Sequence, residues 1–192
     1  MLADFDPSAS AQETLQPQQP QQPQAPHKPT QQPASYFAGA DAARRAVEMA
    51  LPLITQAMTR PQDVGDSGFL HIVVMDPARS PVECAFDEAV LYEYSVGDRA
   101  QWDADYAAYA RAKARLAWQH GMSTHALQSL RPHVLRAGDT NLWGSAVLDG
   151  IVVGVSGALP FYDEAFAHVV AACLRAIAKQ AAAATGGTLR LA

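Results

Sequence analysis

The chain has 192 residues, 49% of them hydrophobic and 17% charged, which suffices for one core of ordinary size and hardly for two, so a single domain is expected. A formal net charge of −5 gives no general attraction to nucleic acid or to an anionic membrane, since both demand a basic surface. No apolar run approaches the ~20 residues that span a bilayer, and the opening MLADFDPSAS has neither the basic nor the apolar region of a secretion signal.

Residues 16–33 are almost entirely Gln and Pro, with Pro17, Pro20, Pro23, Pro26 and Pro29 three apart. That period places the prolines on one ridge of an extended polyproline II helix, which buries no core, so residues 1–37 read as a disordered arm. The same spacing suits an aromatic-grooved partner domain, which makes a protein-interaction module recruited through the arm one functional reading. The folded domain then spans 38–185, and 186–192 form a tail.

Order is expected to begin near Asp41 as N-cap, with Val47, Leu51, Ile54 and Met58 as an apolar stripe that Pro52 is expected to kink or divide. FLHIVVMD (69–76) predicts a strand, DPARS a turn, PVECAF (81–86) a second strand, and the alternating VLYEYS (90–95) a third. Cys84 and Cys173 form no CxxC pair and sit in apolar settings, which fits free thiols in a reducing, cytoplasmic compartment. A long helix runs from about Trp102 to His120, opened by Asp103 or Asp105 and closed by Gly121. Ser123 or Thr124 caps a short helix that ends before Pro132. NLWGSAVL and IVVGVSGA flank Asp149-Gly150, the dipeptide of a two-residue hairpin turn. The last helix starts at Asp163 as N-cap and carries Phe166, Val169, Val170, Cys173, Leu174 and Ile177 on one face.

Gly154, Ser156 and Gly157 are small where a half-buried strand is normally Val or Ile, so either a helix or a ligand approaches the backbone closely there. The GVSGA of 154–158 leading to Asp163-Glu164, together with ARAKARLAWQHG at 110–121, resembles the GlcG/HbpS-like family. That family includes heme-binding proteins and a domain appended to some cobalamin adenosyltransferases. The resemblance implies an α+β, profilin-like fold, an antiparallel five-stranded sheet with helices on both faces, commonly assembled into homo-oligomers. It also implies heme or a related anionic ligand, or else an enzyme or accessory factor acting on an organic acid. The chain shows Leu142-Trp143-Gly144-Ser145 where the family usually has a Gly-Gly pair.

Charge is uneven along the sequence. Between Tyr106 and Gly138 there is no Asp or Glu, yet Arg111, Lys113, Arg115, Arg131 and Arg136 are present, while 76–105 holds eight acids against Arg79 and Arg99. A purely basic segment in an acidic protein is either a solvated face or a site where guanidinium groups and Lys113 grip carboxylates such as heme propionates. His120, His125 and His133 match no metal motif by spacing, but a neutral imidazole is the ordinary axial ligand of heme iron, which makes these three the candidate metal ligands. Trp118, Leu127 and Trp143 are candidate apolar walls. No catalytic residue is assigned, because the chain has no GxSxG elbow, P-loop, HExxH or GxGxxG. Ala171, Ala172, Ala176, Ala178 and Ala181 to Ala184 line the last helix away from its apolar face, where a second copy would bury them.

Overall fold

The computed structural model describes residues 34–186; the Gln/Pro arm as far as residue 33 and the tail from residue 187 lie outside them. In chain order the elements are α1 (Ala40–Met58), α2 (Pro61–Val64), β1 (Leu70–Met75), α3 (Phe86–Ala89) and β2 (Val90–Val96). After a 3-10 turn at Arg99–Gln101 come α4 (Tyr106–His120), α5 (Thr124–Leu130), a second 3-10 turn at Pro132–Val134, β3 (Ser145–Leu148), β4 (Ile151–Ser156) and α6 (Pro160–Ala184).

The strands form one antiparallel sheet in the order β2-β1-β4-β3. Because side chains alternate along a strand, β1 and β4 present two different faces, and both are covered. Leu70, Ile72 and Val74 of β1 join Val153 and Val155 of β4 in a core shared with α1 (Ala43, Ala46, Val47, Ala50, Ile54) and α6 (Phe166, Val170, Leu174, Ile177). Val73, Met75 and Val152 point the other way, onto Ala110, Ala114, Ala117 and Trp118 of α4. The mixed α+β class and the helices on both faces follow from this alternation. Among the described residues the sheet has four strands, one fewer than the resemblance implies.

The strand that is missing is PVECAF. Ser80 donates its backbone N–H and its hydroxyl to the Glu83 carboxylate at 3.0 and 2.7 Å, and Ala85 N–H donates to Glu88 Oε2 at 2.9 Å. These local bonds hold a turn followed by one helical turn, at the expense of ladder pairing. The partner of β1 is instead VLYEYSV, with His71 opposite Ser95 and Val73 opposite Glu93. Pro52 does not divide α1, which runs on as one helix. The proline faces solvent, while Ala50 and Ile54 on either side are anchored in the core, so one lost backbone bond is tolerated. Nor does Asp41 cap that helix, whose N-cap is Gly39. Ordered contacts begin before residue 38, since Ser35 N–H donates to Asp76 Oδ1 at 3.2 Å.

The hairpin and the caps of the two middle helices agree with the sequence, although α4 starts at Tyr106 and not near Trp102, and α6 starts at Pro160, before Asp163. Asp105 caps α4 by accepting from Ala108 N–H, Gly121 closes it in the left-handed conformation, Ser123 caps α5, and Asp149-Gly150 turns the β3–β4 hairpin with positive φ at both residues. Both cysteines are free thiols. No helix among the described residues is long and apolar enough to cross a membrane.

Candidate functional site

Three groups of polar side chains surround α4, and only one of them is open to solvent. On its sheet-facing side Lys113 is buried at 2% exposure, and its ammonium donates to Asp163 Oδ2 at 2.8 Å, Val155 O at 2.9 Å and Ser156 Oγ at 3.1 Å. Asp163 is not the N-cap of α6, which starts a turn earlier at Pro160; its carboxylate turns back to accept from Ala158 N–H at 2.9 Å and to meet Lys113. Burial dominates both groups. It pushes the Asp163 carboxyl up to about 6 against the pull of the ammonium, and it lowers the Lys113 ammonium from its ordinary value against the pull of the carboxylate.

The close approach depends on glycines. A Cβ on Gly144 would sit 2.5 Å from Asp163 Cβ and 3.0 Å from Lys113 Nζ. A Cβ on Gly154 would lie 2.5 Å from Ala110 O and 2.8 Å from Ala114 Cβ, so the object approaching the GVSG strand is helix α4. At Gly157 it is the backbone of Phe69 and Leu70. Lys113, Gly154 and Ser156, expected to hold a ligand, thus form a sealed junction of α4, β4 and α6, while Gly157, half-buried and likewise expected to hold a ligand, packs on the start of β1.

The opposite, outer side of α4 carries the second group. Arg111 and Arg115 border an open pocket of about 430 Å³ together with Arg99 and Asp105, over a floor of Ala107, Ala108 and Ala112. Arg111 is held by two acids of the preceding block, Asp87 and Glu93, the latter at 2.5 Å. Arg115 lies over the Phe86 ring at 4.7 Å, and Arg99 over the Trp102 ring at 4.8 Å. Neither makes an ion pair with a carboxylate among the described residues. Two guanidinium groups, each over an aromatic ring and neither paired with a carboxylate, therefore face the same pocket, an arrangement suited to a carboxylate.

Next to it lies a third group that the motifs did not reveal. His71, at 3% exposure, bonds Ser95 Oγ through Nδ1 at 2.9 Å, and its Nε2 has no hydrogen-bond partner but sits 3.8 Å from Glu93 Oε1. The ring meets Trp102 edge-on at 5.9 Å, and Trp102 Nε1 is likewise buried without a partner. Desolvation lowers the His71 pKa, Glu93 opposes this, and the positive charges of Arg99 and Arg111 reinforce it. The signal was present as period two: His71, Glu93 and Ser95 are the polar members of two alternating strands and share one face.

The three candidate metal ligands have separate surroundings. His120 borders a polar pocket of about 290 Å³ with Gln119, Arg136 and Asp139. His125 is exposed, 3.1 Å from Glu164 Oε2, and stacks on Trp143 with ring centroids 4.1 Å apart. His133 is exposed on the second 3-10 turn. No group of three or more His, Cys, Asp or Glu among the described residues could hold a metal ion. None of these imidazoles lines the arginine pocket, so the residues that would grip propionates and those that would ligate iron do not fit one heme within one protomer. Trp118 and Leu127, the other candidate walls, are buried in the fold. No family model, curated protein or solved structure matches the chain.

Proposed function

We propose that this protein is a binding module for a small anionic organic molecule, a member of the GlcG/HbpS-like group with a profilin-like fold. The observation that carries the reading is the pair of guanidinium groups, Arg99 and Arg115, that share the α4 pocket with Arg111 and lack carboxylate partners among the described residues. Binding fits better than turnover, because the one carboxylate that lines that pocket, Asp105, is engaged as the N-cap of α4, accepting from Ala108 N–H at 2.9 Å. The ligand class is a carboxylate, whose two oxygens match the fork of N–H donors that a guanidinium presents. Two copies associate through the exposed alanines of α6, such as Ala172 and Ala176, while Ala171 is already covered in the core that α1 and α6 share.

The test is thermal stabilisation and calorimetry of the full chain against a panel of mono- and dicarboxylates with hemin alongside. Saturable, stoichiometric stabilisation that weakens at least tenfold in Arg115→Ala and in Arg99→Ala supports the reading. A hemin Soret shift that saturates at one equivalent and depends on His120, His125 or His133 would move the ligand to heme. An unchanged melting curve with every anion would end the proposal.

A further inference from the structure

Resting on the anion reading above, we infer that ligand binding in the arginine pocket is coupled to protonation of His71, so that the anion enters together with a proton. The surroundings of this imidazole hold it uncharged. It is buried in the sheet, and its Nε2 faces Glu93 at 3.8 Å without a hydrogen bond. Glu93 is the natural counter-ion of an imidazolium, but it is drawn away to Arg111 at 2.5 Å. Arg111 is a wall of the pocket, and Arg99 is another.

An anion seated between Arg99, Arg111 and Arg115 changes this balance in two ways with the same sign. It cancels the positive field that disfavours a charged His71. It also competes with Glu93 for the Arg111 guanidinium, which leaves the Glu93 carboxylate free to accept a bond from Nε2–H. Both make the proton easier to hold when the ligand is present, and by linkage the ligand then binds more tightly when the proton is present.

The groups around His71 are few. β2 contributes Glu93 and Ser95, and the segment before α4 contributes Arg99 and Trp102. α4 contributes Arg111, and also Tyr106, which packs on Trp102 and donates to Asp103. On the other side β4 contributes Ser156, paired across from His71 and bonded to the Lys113 ammonium. Glu93 is the one carboxylate within ion-pair distance of the imidazole among the described residues.

The sign follows. Free His71 has a lowered pKa and is neutral at pH 7; with the anion bound its pKa rises. Affinity is highest at acid pH and falls as pH rises through the window between the free and bound values, by about tenfold for each unit separating them.

The experiment is calorimetry of the full chain with sulfate and with benzoate, whose charges are constant across pH 5.5–8, in two buffers of different ionisation heat. Proton-resolved NMR of the His71 ring is recorded with and without sulfate. Uptake of a fraction of a proton near pH 6.5, a His71 titration that moves up with sulfate, and a clear weakening of both in Glu93→Gln, which removes the counter-ion but not the field of the arginines, are expected. Saturable binding with no uptake, a His71 titration that stays still with sulfate, or uptake undiminished in Glu93→Gln overturns the coupling and leaves the anion site standing. Absence of binding at every pH removes the anion reading and this inference with it.

Discussion

Replacing Lys113 by Met keeps an unbranched side chain one atom shorter and removes its charge. In the wild type that ammonium satisfies three buried acceptors, Asp163 Oδ2, Val155 O and Ser156 Oγ, at 2.8 to 3.1 Å. The variant leaves the Asp163 carboxylate at 1% exposure with backbone donors as its remaining support. Removing one partner of a buried ion pair costs about 3–5 kcal/mol, because the other charge stays desolvated. Against a typical total of roughly 5–15 kcal/mol, that is a large share. In a folded domain of this size each kcal/mol moves Tm by about 2–4 °C, so a drop of about 6–20 °C is expected at pH 7.5. The loss shrinks as pH falls, because the orphaned carboxyl, no longer held down by the ammonium, takes up a proton more readily than in the wild type. Adding Asp163→Asn to the variant removes the buried charge and restores about 2 kcal/mol or more, the size of coupling expected for residues in contact. The assay is urea unfolding of the single and double variants, followed by far-UV circular dichroism at pH 5 and 7.5. A loss under about 1 kcal/mol in the single variant, or a double variant no more stable than the single, would show that the pair is not the junction described.

Three further outcomes are expected. Because burial holds the Asp163 carboxyl at about 6, above its ordinary value, its contribution to stability is fully present below the unfolded pKa and is lost as pH rises from about 4 through 6. The Lys113→Met/Asp163→Asn double variant lacks that decline, and parallel denaturation curves from pH 4 to 7 would contradict the assignment. Gly154→Ala forces a methyl to within 2.5 Å of the Ala110 carbonyl, so α4 must move off the sheet. A loss of about 1–3 kcal/mol by chemical denaturation is expected from such overpacking, and unchanged stability would refute the close approach. Light scattering of the full chain at micromolar concentration is expected to give a dimer mass, with Ala176→Glu monomeric and still folded; a monomeric wild type would end the association claim.

What was legible in the sequence was what depends on local chemistry. Asp105 and Gly121 mark the ends of α4 because capping and left-handed closure need those side chains wherever the helix sits. Asp149-Gly150 gives the hairpin for the same reason. PVECAF misled because its apolar letters fit a strand, while Ser80, Glu83 and Glu88 satisfy the backbone locally and remove the need for one. Asp163 carries the usual mark of a cap, but its partner is a lysine 50 positions earlier, and no local pattern encodes that distance. The site divides along the same line. The basic block on α4 was readable as a candidate for anions, but spacing along the helix alone could not say that Lys113 faces the sheet while Arg111 and Arg115 face water. His71 and Glu93 acquire meaning only through the register of β1 against β2, and Arg99 through its place beside the pocket.

The most direct measurement is NMR of the arginine side-chain Nε–H groups during titration of the full chain with benzoate. The account predicts saturable shifts of the Arg99, Arg111 and Arg115 signals at one affinity, with the rings of His125 and Trp143 unmoved. Shifts confined to the His125 and Trp143 region, or arginine signals that stay in place up to saturating anion, would contradict it.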